Sequence, residues 1–221
     1  MNWMQVYNDP GAAPEKPPIF RKGYPTIVLA LTGLIVAVSL IQFNAPVRLY
    51  QWIMASSMLV ITPGDIGFSQ PFGPYAPYIL HTLVHGNLFH LVMNMAALIA
   101  FGPVVALALG RSPRGAMLFL AFFAVCAIGG GLATYAWYAL WNGSTAVVGA
   151  SSALSGLLPA VGFVRDGWKG AWSMSVPWLV INIILAFLGG DVGVMQIAWT
   201  AHLGGLAAGF SFPAFLAVAR S

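Results

Sequence analysis

The chain has 221 residues, of which 59% are hydrophobic and 6% charged, and its mean hydropathy is +0.84. Soluble domains carry roughly 25% charged residues, so a water-soluble globule is excluded, and disorder is excluded because it needs low hydrophobicity with high net charge. The net charge of +4 comes from cations scattered along the chain, with no basic stripe for phosphate, so the expected surroundings are a lipid bilayer and no nucleic-acid partner is expected.

Residues 1–25 hold Pro10, Pro14, Pro17 and Pro18 with Asp9, Glu15 and Lys16. No apolar run precedes a small-residue cleavage site, so this stretch reads as a short polar tail rather than a signal peptide. Residues 26–218 read as the membrane domain. A helical crossing takes about 20 mostly apolar residues, and six runs qualify: 26–43, 88–109, 116–140, 147–164, 171–188 and 197–218. Between the first two lies an outer loop over 44–87. Its part 45–61 is apolar but contains Arg48, Gln51, Ser56 and Ser57, and it reads as an interfacial helix with Tyr50 and Trp52 at headgroup level. The following stretch, 62–77, is rich in proline and glycine and is expected to be irregular. In the third run, Gly129, Gly130 and Gly131 either loosen the helix or permit close helix contact. Cys126, the only cysteine, sits in the same run, so no intrachain disulfide and no cysteine-based zinc site can form.

Lys and Arg are retained on the cytoplasmic side of membrane proteins. With six crossings, Lys16, Arg21, Lys22, Arg111, Arg114, Arg165, Lys169 and Arg220 fall on one side, eight of the nine cations, and Arg48 alone on the other. A crossing at 45–61 would erase that asymmetry. The expected fold is therefore an all-α, multi-pass membrane protein of six transmembrane helices with both termini cytoplasmic, in the cell (inner) membrane.

All four histidines, His81, His85, His90 and His202, lie in or beside the apolar runs. Ionisable groups at membrane depth point to function, yet each has a plainer reading. His81 and His85 can tie down the outer loop by hydrogen bonds or line a wet cavity. His90 and Asn94, four residues apart, share one helix face and can act as interhelical glue. With the orientation above, the second, fourth and sixth helices all enter from the outer side. At 1.5 Å per residue, His90, Asn94, Ser151 and His202 then lie within roughly 10 Å of the outer surface.

Those four groups suit acyl transfer. A serine hydroxyl becomes a nucleophile when a base takes its proton, and histidine is suited to that near neutrality, which pairs Ser151 with His202. The oxyanion formed on attack needs donors. Ser151 falls in the first turn of its helix, where backbone N–H groups lack helical partners, and His90 and Asn94 can add two more. No Asp or Glu lies in any run, so a dyad without a carboxylate is expected. Gly149, Gly156, Gly204, Gly205 and Gly209 would let the fourth and sixth helices approach closely. Packing alone would also explain glycine and serine here, and both readings are open on these residues.

The string His81-xxx-His85-xxxx-His90-xxx-Asn94, then Gly149-Ala150-Ser151-Ser152, then Ala201-His202-Leu203-Gly204-Gly205 resembles the rhomboid family of intramembrane serine proteases. The resemblance covers the span region in the family's order. It implies a six-helix rhomboid-like bundle with Ser151 as nucleophile, His202 as general base, and His90 and Asn94 stabilising the oxyanion. It implies that His81 and His85 are supporting, water-retaining residues, and that the fifth helix and the loop before the sixth form a lateral gate and cap. The implied reaction is hydrolysis of peptide bonds in or near transmembrane segments of single-pass or polytopic substrates, without a cofactor, at a site open to the outer or periplasmic side. Three departures stand out. Ser152 replaces a frequent glycine, Ser155 replaces an aromatic that packs on the base in many members, and the Trp-Arg pair common in the first outer loop is missing.

Two other functions compete. A rhomboid-like protein without activity would bind or escort membrane-protein clients. A haem or metal protein would use the four histidines, but on a continuous helix His81 and His90 would lie about 180° apart, with no carboxylate near to orient a ligating imidazole.

Overall fold

The computed structural model describes residues 23–62, 70–188 and 198–221. Most of the polar tail, part of the proline-rich outer loop (63–69) and the loop before the last helix pair (189–197) lie outside the described residues. The elements run α1 (Thr26–Asn44), α2 (Val47–Ser57), β1 (Leu59–Ile61), α3 (Pro77–Leu80), a 3-10 turn (His81–Leu83), α4 (Leu88–Leu109), α5 (Pro113–Leu140), β2 (Thr145–Val147), α6 (Ser151–Leu188), α7 (Trp199–Gly209) and α8 (Phe212–Arg220). Among the described residues, five helical stretches are long and apolar enough to cross a membrane: α1, α4, α5, α6, and α7 with α8 taken together.

Local chemistry sets the boundaries. Asn87, in extended conformation, opens α4 by accepting the backbone N–H of His90 on its side chain at 2.8 Å. Ser112 does the same for α5 through Gly115 N–H at 3.2 Å, with Pro113 in the first turn where no N–H is needed. α6 is not one rod. Asp166 and Gly167 leave helical geometry, and Gly167 takes a positive φ of 53°. Trp178 then donates to Ser155 at 2.9 Å across 23 positions of sequence. At 1.5 Å per residue an unbroken helix would hold them roughly 34 Å apart, so the chain doubles back and α6 is a hairpin of two arms, 151–165 and 168–188. The loop expected between the fourth and fifth runs is thus only a two-residue break.

The outer loop differs from the sequence expectation in one respect. The helix expected over 45–61 stops at Ser57, and Leu59–Ile61 forms a short antiparallel pair with Thr145–Val147, in the register Leu59↔Val147 and Ile61↔Thr145. This ties the outer loop to the strand leading into α6. Glycine sets the tightest packing, with α7 lodged between α5 and α6. A methyl on Gly130 would stand 2.6 Å from Ser152 Cβ and 2.7 Å from the Ala201 carbonyl oxygen. Gly129, Gly130 and Gly131 therefore serve close contact rather than looseness.

The two ends of the bundle differ in chemistry. Arg111 donates to the Gly23 carbonyl, and Arg114 donates to the Val218 carbonyl at 2.8 Å, so the start of α1, the α4–α5 turn and the chain's last residues gather at one end. At the other end of α1, Gln42 brackets His85, donating to its carbonyl at 2.8 Å and accepting its N–H at 3.0 Å. Large apolar side chains stay exposed on α1 and on the second arm of α6, among them Leu34, Ile41, Val180, Ile184 and Phe187, as expected of faces turned to lipid.

Candidate active site

Ser151 is the first residue of α6, after a turn in which Gly149 takes φ +103°. A side chain there would be strained, and it would also strike His90, whose Cε1 lies 2.6 Å from where a Cβ would stand. The Gly149 N–H donates to the His81 carbonyl at 2.8 Å, which fixes the turn to the outer loop. The helix start leaves the first-turn N–H groups beside Ser151 without helical acceptors. Ser151 itself is partly exposed while its neighbours are buried.

Ser151 Oγ lies 2.8 Å from His202 Nε2 across the α6–α7 seam. His202 is buried, and its Nδ1 lies 2.8 Å from Asn182 Oδ1 on the second arm of α6. Asn182 Nδ2 donates to the Trp178 carbonyl at 2.8 Å, which directs Oδ1 toward the imidazole. An oxygen there can only accept, so Nδ1 carries the proton and Nε2 is free to accept from the serine. The Trp178 ring lies 5.5 Å from the His202 ring at 38°. Its indole N–H donates to Ser155 Oγ at 2.9 Å, and Ser155 Oγ donates to the Ser151 carbonyl at 2.7 Å. The connections close into a circuit through Ser151, His202, Asn182, Trp178 and Ser155.

Two features escaped the sequence reading. Beside Ser151, His202 has a second hydrogen-bond partner, the neutral amide of Asn182. The aromatic partner missing at Ser155 is supplied from the opposite arm, and Ser155 is the small residue that accepts its indole. An amide four residues after a tryptophan in an otherwise apolar run was the available signal for both.

His90 reaches the turn before Ser151, packed on Gly149 and edge-on to His85 with ring centroids 5.1 Å apart. Asn94, one turn further along α4, is buried. Its Nδ2 donates to the His90 carbonyl at 2.7 Å, and its Oδ1 has no partner among the described residues. His81 donates from Nδ1 to the Pro77 carbonyl at 2.8 Å and accepts the Ser152 hydroxyl on Nε2 at 3.0 Å. Ser152 therefore faces the outer loop, away from His202. Because Ser39 donates its own proton to the Leu83 carbonyl, it accepts from His85 Nδ1 at 2.9 Å. Burial pushes His81 down to about 4 and His85, with the added field of His90, down to about 3. Both stay neutral near pH 7, in the loop-tying role.

The family model for the Rhomboid domain matches residues 73–219, which is well over half of the chain and includes every residue of the circuit. No curated protein matches the chain. A match of this extent, with several apolar crossing-length helices, makes the molecule a multi-pass integral membrane protein.

Proposed function

Because the chain belongs to the rhomboid family, we propose that it is an intramembrane serine endopeptidase with Ser151 as nucleophile and His202 as general base. The observation that carries this reading is the 2.8 Å contact from Ser151 Oγ to His202 Nε2, with the opposite ring nitrogen engaged by an acceptor. In this reading the serine proton passes to Nε2 as Oγ attacks the peptide carbonyl. The developing oxyanion is met by first-turn N–H groups of α6 and by His90 and Asn94, whose side chains turn from their resting contacts toward it. His202 then returns the proton to the leaving amine, and water, activated by the same base, releases the acyl group.

In membrane terms the hairpin arms of α6 count as two crossings, giving six in all. The end bearing Arg111, Arg114 and Arg220 faces the cytoplasm with both termini, and Ser151 opens to the outer side. Substrates are single-pass or polytopic membrane proteins. Their scissile segment must unwind because helical amides are shielded, so helix-breaking residues near the cut are favoured.

The test is cleavage of single-span substrates by purified protein in proteoliposomes, with a fluorophosphonate probe to map the nucleophile. Wild type should cleave and carry the label on Ser151, and Ser151→Ala and His202→Ala should do neither. Cleavage that persists in both variants would defeat the assignment, and a wild type that binds substrates without cutting any would be a client-binding member of the family.

A further inference from the structure

We infer that Asn182 is a positioning residue for His202, holding the imidazole in the Nδ1–H tautomer and in line with Ser151. The inference rests on the reading of His202 as general base. Three observations carry it. Asn182 is fully buried, although its arm of α6 turns much of its surface to lipid. A polar side chain in such surroundings persists only with its hydrogen bonds satisfied. Its two polar ends are then used in different ways. Nδ2 is held by the carbonyl of Trp178 one turn earlier, and Oδ1 stands 2.8 Å from His202 Nδ1. Rotating the amide by half a turn would set its oxygen against the Trp178 carbonyl, two acceptors with no proton between them, so the observed orientation is the one that satisfies both ends.

The tautomer follows from that orientation. Histidine in its neutral form has one donor nitrogen and one acceptor. With the acceptor Oδ1 at Nδ1, the proton resides there, and the lone pair of Nε2 faces the serine at 2.8 Å. The other tautomer would place a proton between Nε2 and Ser151 and leave no base. Asn182 thus selects the reactive form before any substrate arrives. It does so from neither the nucleophile's arm of α6 nor the base's helix. Trp178, from the same arm, lies against the ring at a tilt of 38° with centroids 5.5 Å apart, so one stretch of chain both hydrogen-bonds and packs against the imidazole.

A purely structural polar residue would lower stability on removal without altering the base, and the test separates these roles. Asn182→Ala and the similarly sized Asn182→Leu should lower kcat about 10- to 100-fold, part of the full worth of a general base, with KM unchanged. Asn182→Asp restores an acceptor and should recover much of kcat, while the acid limb of the kcat profile moves to higher pH because a carboxylate favours the imidazolium. Independently of turnover, nitrogen NMR of histidine-labelled protein in micelles should report Nδ1–H for His202 in wild type and a mixture of tautomers in Asn182→Leu. Wild-type kcat together with an unchanged His202 tautomer in Asn182→Leu would overturn the inference. A wild type that cleaves nothing would instead overturn the protease reading, and the NMR comparison would still decide whether Asn182 sets the ring.

Discussion

Gly205→Ala tests whether the α6–α7 seam sets the distance between Ser151 and His202, the proposed nucleophile and base. Gly205 sits three residues after His202, pressed against the backbone of Ser152. A Cβ built on it would stand 2.6 Å from the Ser152 carbonyl carbon and 3.1 Å from its Cα, and it would meet the carbonyl oxygen more closely still. Ordinary contact begins near 3.4 Å, and backbone cannot rotate aside as a side chain can. The helices must therefore part by at least the difference, about 0.8 Å, at the level of the site. Added to the 2.8 Å from Ser151 Oγ to His202 Nε2, this exceeds hydrogen-bond reach. Losing the base contact should cost about 100-fold or more in cleavage, and overpacking should cost about 1–3 kcal/mol in stability. Gly209→Ala presses on the same seam one turn further from Ser151, 2.6 Å from Gly156 Cα. It should destabilise similarly but spare more activity. Gly33→Ala, where nothing lies within 4 Å, should change neither. The measurements are substrate cleavage in proteoliposomes and thermal unfolding of each variant. Wild-type cleavage by Gly205→Ala, or equal losses in Gly205→Ala and Gly209→Ala at equal stability, would refute the reasoning.

Two other outcomes are expected. Ser152→Ala should keep both cleavage and the fluorophosphonate label on Ser151 while lowering stability by about 1–3 kcal/mol, because it leaves the buried His81 Nε2 without its donor; thermal unfolding and mapping of the label check this. Acid should also destabilise the fold. Unfolded histidine takes a proton below about pH 6.5, whereas His81 resists until about 4 and His85 until about 3. Their contribution is complete above pH 6.5 and is lost as pH falls toward 4, each histidine costing about 1.4 kcal/mol per pH unit. Unfolding midpoints in detergent measured from pH 7 down to 4 should fall accordingly, and a midpoint independent of pH across that window would contradict the burial argument.

The pairing of Ser151 with His202, which the structure holds 2.8 Å apart, was legible because serine and histidine are chemically specific and their depth follows from counting residues along helices. The glycine seam was legible too, since Gly204, Gly205 and Gly209 only make sense against a near backbone. What the sequence hid depends on pairings that local pattern does not record. The contact between Asn182 and His202 spans 20 positions and exists only because the chain reverses at Asp166 and Gly167, which hydropathy reads as a gap between two runs. The strands at 59–61 and 145–147 are three residues each, too short to show an alternating pattern, and they form because they meet each other. Ser155 looked like a lost aromatic partner only while helices were considered one at a time.

The choice of an amide at position 182 follows from where the base sits. A carboxylate there would be an anion buried beside lipid-facing helices, at a cost of several kcal/mol, and the chain keeps every Asp and Glu out of its membrane runs. Asparagine offers the same acceptor oxygen without charge. Under the proposed mechanism it would stabilise the imidazolium formed during attack less than a carboxylate would, and the Trp178 ring, 5.5 Å from His202, is near enough to add to that stabilisation, an aromatic ring beside a desolvated cation contributing roughly 0.5–2 kcal/mol. Amide and indole sit four residues apart on one arm and are joined through the Trp178 carbonyl. In the proposed mechanism, the tautomer of the resting His202 and the charge of its protonated form would therefore both be handled by one helical turn, and neither would require a charged residue in the membrane.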